Sequence, residues 1–103
     1  MEFAELRRLL TNARSELDDL FARGLNRGHH QNTALREVSA DFARAGLLSG
    51  ADAFARLADS LVLARVDAEW TAAEPAMCFA RCREYTRICL ERLEDMEAAA
   101  RLK

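Results

Sequence analysis

Phe3, Leu6, Leu10, Ala13, Leu17 and Leu20 recur at spacings of three, four, three, four and three residues. A strand would show its apolar side chains at every second position, whereas a helix with about 3.6 residues per turn brings a three-four series onto one face. Such a seam cannot stay in water, so this segment needs other helices to cover it. The series predicts a first helix over residues 2–23, with Gly24 at the place of a C-terminal cap.

The same period governs the rest of the chain. Leu35, Val38, Phe42 and Ala45 predict a short second helix over 33–46, opened by Asn32 or Thr33 and closed by Gly46. Phe54, Leu57, Leu61, Ala64 and Ala68 predict a third over 50–73, with Ser49 as its N-cap. Pro75 opens a fourth over 75–102, because proline is tolerated in a first helical turn and costs about 3 kcal/mol further inside. A tight hairpin at 73–76 is favoured over a kinked continuous helix, because the apolar stripe changes phase there. No segment alternates with period two, and the four glycines fall between the periodic segments. The expected fold is an all-α, antiparallel four-helix bundle in one domain over 1–103, with three long helices and one short.

Charge placement favours that pairing. Arg7 and Arg8 lie early in the first helix, and Glu16, Asp18 and Asp19 late. In the last helix Arg81, Arg83 and Arg87 come early, and Glu91, Glu94, Asp95 and Glu97 late, against the helix's own dipole. Laying the two helices antiparallel matches both halves, and the last helix could pair in the same way with a second copy of itself. The helices are also unequal. At ~1.5 Å per residue the last would be ~40 Å long and the second ~21 Å, so part of the long ones needs a further cover.

The stretch MCFARCREYTRIC, residues 77–89, places three cysteines close together. On a wheel of ~100° per residue, Cys78, Cys82 and Cys89 lie within about 40°, and Tyr85, Leu93, Met96 and Ala100 share that face. They read as small apolar residues of a seam. One ion could not reach both Cys78 and Cys89, which are ~16 Å apart along the axis. Cys78 and Cys82 with His29 and His30 remain an alternative metal site of uncommon geometry. No resident metal or cofactor is expected.

The third helix carries a second stripe, Leu63, Val66 and Trp70, on the side away from its main seam. A helix apolar on two faces is either central or touches a second body, so these three residues are the expected partner-binding surface, with Ile88 on the flank of the last helix as the second choice. Arg27, His29 and His30 form the one local basic excess, a possible loop site for an anion or an acidic partner, although a solvated loop explains them as well.

The net charge of −2 and pI near 5.7 leave no basic footprint for nucleic acid or anionic lipid. A helix-turn-helix can be drawn over 37–57, but Arg56 is the sole base early in its second helix, where phosphate contacts need several. No run of eighteen apolar residues predicts a membrane span, and no signal pattern opens the chain, so a cytoplasmic location is the default expectation. No Gly-rich phosphate loop, paired-histidine metal motif or nucleophile elbow is present, and catalysis is not expected. The reading is a protein–protein interaction module of adaptor, chaperone or antidote type that acts as a homodimer, on a protein partner, or both. The alternatives are a DNA-binding regulator and a small metal-binding helical protein.

Overall fold

The structure, a computed structural model, describes residues 2–25, 31–66 and 69–102, and the side chains of all of these except 64–66. Regular structure among them is helical throughout: α1 Phe3–Arg23, α2 Asn32–Arg44, α3 Leu48–Val66 and α4 Ala73–Arg101. The helices pack as a bundle in which α1 meets α2, α2 meets α3, α3 meets α4 and α4 returns to α1. The closest packing is between α2 and α3. The whole measures 57 × 21 × 18 Å.

Each seam supplies the core. Leu10, Ala13, Leu17 and Leu20 of α1 are buried with Leu35, Val38 and Phe42 of α2, Phe54, Leu57 and Leu61 of α3, and Cys78, Cys82 and Leu93 of α4. The rings of Phe42 and Phe54 meet edge to face at 5.2 Å, an arrangement that suits their quadrupoles. Burying one Leu or Phe contributes roughly 1.5–3 kcal/mol, so these side chains are the main source of stability. Ion pairs fix how α1 and α4 lie. Arg7 near the start of α1 bonds Glu97 near the end of α4, and Asp18 late in α1 stands 3.8 Å from Arg83 early in α4.

The ends of the helices refine the expectations. Gly24, at φ 90°, caps α1 and donates its N–H to the Leu20 carbonyl. The link from α2 to α3 is a Schellman turn: Gly46, at φ 80°, donates to the Ala43 carbonyl and Leu47 to the Phe42 carbonyl. That tight closure leaves α3 starting at Leu48, so Ser49 stands inside the first turn and is not the N-cap. Nor does Asn32 cap α2. Its amide crosses to the Ala58 carbonyl of α3 at 2.8 Å, and its Oδ1 accepts from Arg36.

The largest difference lies after α3. The spacing predicts helix to residue 73, but α3 ends at Val66 and residues 69–72 are not helical. Trp70 folds back there, and its indole N–H donates to the Ser60 carbonyl at 3.3 Å. A continuous kinked helix is thereby replaced by a break. Pro75 is then the third residue of α4, buried, at a position whose N–H has no intrahelical acceptor in any case.

Candidate interaction surface

The cysteines face inward. Cys78 and Cys82 are buried and Cys89 is half-buried. Burial, and secondarily the neighbouring Cys78, push the Cys82 thiol up to about 12. A thiol held protonated at neutral pH is neither a ready ligand nor a nucleophile. Among the described residues, no group of three or more Cys, His, Asp or Glu side chains is placed to hold an ion. His29, His30 and Arg27 lie outside the described residues.

Next to the cysteines, Tyr85 of α4 lies on Gly50 of α3. A Cβ at Gly50 would overlap Cε1 of that ring and come within 2.8 Å of Phe42 Cδ2. Glycine therefore lets three helices close on one point. The Tyr85 hydroxyl is pushed up to about 12 by burial first and then by the Cys89 thiol, with hydrogen bonding from the Gly50 backbone pulling the other way.

Trp70 does not lie on α3 with the other members of the expected stripe. Leu63 is 47% exposed and borders a depression with Met77 and Arg81 of α4. The side chain of Val66, the last residue of α3, lies outside the described ones. Trp70 is off the helix and partly buried. The three-four spacing of Leu63, Val66 and Trp70 would share one face only if the helix continued past Val66. Ile88 lies elsewhere, on the shoulder of a groove of about 430 Å³ that also takes in Leu6, Leu47, Cys89, Arg92 and Met96. Leu63 and Ile88 are thus not brought into one surface.

Three of the exposed large apolar residues run along α4. Met77 is 60% exposed, Ile88 38% and Met96 53%. α4 is also the longer helix, 29 residues against 13 for α2 and 19 for α3. Met96 keeps the phase of the buried seam and borders the groove with Leu6 of α1 and Leu47, one residue before the Glu97 that Arg7 binds. The excess of length was readable from the sequence, whereas the exposure of Met96 was not. Phe21 of α1 was missed altogether. It is 72% exposed and stacks on Phe79 at 6.1 Å, with the Arg83 guanidinium 5.8 Å over the Phe79 ring. Its one sequence signal is an aromatic next to the Leu20 seam position.

The charges on α4 divide into two kinds. Arg87 is clamped by Glu84 and by Glu91, the latter at 2.8 Å. The hydrogen bond from Arg87 lowers the Glu84 carboxyl below its ordinary range and, with Glu91, raises the Arg87 guanidinium. Arg81, Arg92 and Asp95 are exposed and form no ion pair among the described residues. On α3, Arg56 is held by Asp52 at 2.9 Å, which leaves the start of that helix little to offer a phosphate. No helix among the described residues is long and apolar enough to cross a membrane.

No family model, no curated protein and no solved structure matches this chain.

Proposed function

We propose that this chain is a protein–protein interaction module without catalysis, an antiparallel helical bundle that acts as a homodimer in the cytoplasm. The observation that carries the reading is the exposure of Met77, Ile88 and Met96 along a helix that outlasts its neighbours. Two methionines and an isoleucine left in water over twenty residues are what a helix offers to a second polypeptide. Arg81, Arg92 and Asp95, unpaired among the described residues, supply both signs of charge beside them, which suits a like partner better than a strongly acidic or basic one. Of the sites expected from sequence, Ile88 belongs to this surface, while Leu63 borders a separate depression that meets it only at Met77. The adaptor, chaperone or antidote classes all use such surfaces, and none requires a bound cofactor.

Sedimentation equilibrium on the whole chain tests the reading. Across about 1 µM to 1 mM, the range in which contacts of roughly 4–8 kcal/mol register, a monomer–dimer equilibrium is expected. A chain that stays monomeric throughout overturns it.

A further inference from the structure

The exposed face of α4 reads almost the same from either end. At ~100° per residue, Met77, Arg81, Glu84, Ile88, Arg92, Asp95 and Ala99 fall within an arc of about 80°. All seven are exposed. Counted outward from Ile88, Glu84 stands four residues before it and Arg92 four after; Arg81 stands seven before and Asp95 seven after. Met77 and Ala99 close the series at eleven. Each charge is therefore mirrored by its opposite across Ile88.

We infer that α4 docks antiparallel on α4 of a second copy, with the two-fold axis at Ile88. The inference rests on the homodimer reading and adds the surface and the register. Ile88 meets Ile88 of the partner subunit, Arg81 meets the partner's Asp95, Glu84 meets the partner's Arg92, and Met77 covers the partner's Ala99. By symmetry every pair forms twice. Arg81, Arg92 and Asp95, which have no ion partner among the described residues, each acquire one. Glu84 is already engaged by Arg87, but a carboxylate has about four acceptor sites and can take a second guanidinium.

Registers centred midway between Arg81 and Glu84, or between Arg92 and Asp95, form one kind of charge pair where the Ile88 axis forms two, and three further registers oppose like charges. An axis at Glu84 sets Glu84 on itself and Arg81 against Arg87, and an axis at Arg92 sets Arg92 on itself. An axis midway between Arg81 and Arg92 opposes those two arginines. Only the Ile88 axis also puts the small residue Ala99 opposite Met77, which allows the helices to approach at both ends of the contact. The strip is about 33 Å long and one helix face wide, which places it among the small, reversible interfaces. Its dimer is accordingly concentration- and salt-dependent.

The test is a charge-swap cycle read by sedimentation equilibrium, with far-UV circular dichroism to confirm that each variant is folded. Arg81→Glu breaks two pairs at once and opposes two acids, so dimer affinity should fall by about tenfold or more, as should Asp95→Arg. The double variant Arg81→Glu/Asp95→Arg should return to within about threefold of wild type, since it rebuilds the same pairs with their signs exchanged. Independently, Ile88→Cys should cross-link to itself on mild oxidation, because the axis passes through that residue. A chain that dimerises with full affinity in both single variants and does not cross-link at position 88 keeps the homodimer reading and overturns this register. A disulfide dimer of the wild type, lost in Cys89→Ser, would also overturn it, because Cys89 would then occupy the axis. A chain monomeric at all concentrations removes both readings.

Discussion

Gly50 shows how much can depend on a missing side chain. In a helix interior glycine costs about 1 kcal/mol relative to alanine, so Gly50→Ala should stabilise α3 if local propensity alone decided. But the new methyl would meet the Tyr85 and Phe42 rings, and overpacking of that kind costs typically 1–3 kcal/mol. The expected result of urea unfolding is a net loss of up to about 2 kcal/mol. Recovery of stability in Gly50→Ala/Tyr85→Leu would locate the clash, while a more stable single variant would show that the Tyr85 ring is free to withdraw. Sequence reasoning put Gly50 just inside a helix and had no reason to expect an aromatic ring from a helix 35 residues away. Periodicity names the face a residue occupies, not the side chain opposite.

Cys82 gives a pH dependence with a definite sign. Its thiol ionises near 9 in an unfolded chain and about 12 in the folded one, so the folded state holds its proton more tightly. Below pH 9 both states are protonated and nothing is lost. As the pH rises from 9 toward 12 the unfolded chain releases its proton first, and stability declines. Denaturant midpoints between pH 8 and 11 should fall less steeply in Cys82→Ala than in the wild type; identical slopes would mean that the thiol is not held as the fold implies. Tyr85 adds a fall of the same sign between 10 and 12, moderated by its partial exposure.

At the scale of the element, the seams were legible and the ends were less so. Leu10, Leu17, Leu57 and Cys82 all face inward as their spacing requires. Leu57→Ala should cost about 2–5 kcal/mol, because the residue is fully enclosed and its truncation opens a cavity in the core. A thermal or denaturant midpoint checks this, and a loss under 1 kcal/mol would place Leu57 outside the core. The end of α3 could not be read. No glycine stands between Val66 and Ala73, and Asp67, Ala68 and Glu69 are compatible with helix. The observed return of Trp70 to Ser60 is a tertiary contact, so no count of spacings could have announced it. Trp70 does not share a helix face with Leu63, since it was assigned to that face by a periodicity that does not extend to it. Ile88 keeps the face its spacing assigned because α4 is continuous through its position.

For the whole molecule, unequal helices produce an elongated bundle of 57 Å with one helix partly uncovered. The sequence carried that inequality in its segment lengths, and it carried the charge order that sets Arg7 beside Glu97. Those surface pairs contribute roughly 0–1 kcal/mol each, so they select the arrangement of α1 and α4 more than they strengthen it.

The close packing of α2 on α3 bears, finally, on time. These two helices are joined by a three-residue turn, so their contacts form across short stretches of chain. The contacts of α1 with α4 join residues as much as 90 positions apart. Loop closure makes the second kind slow to find, and the first kind forms early in helical proteins. The α2–α3 hairpin should therefore be structured in the folding transition state and the α1–α4 seam should zip last. Val38→Ala is expected to slow folding, with a φ-value above about 0.5, whereas Leu93→Ala should mainly accelerate unfolding. The reverse pattern in a stopped-flow chevron would show that the chain begins from its ends.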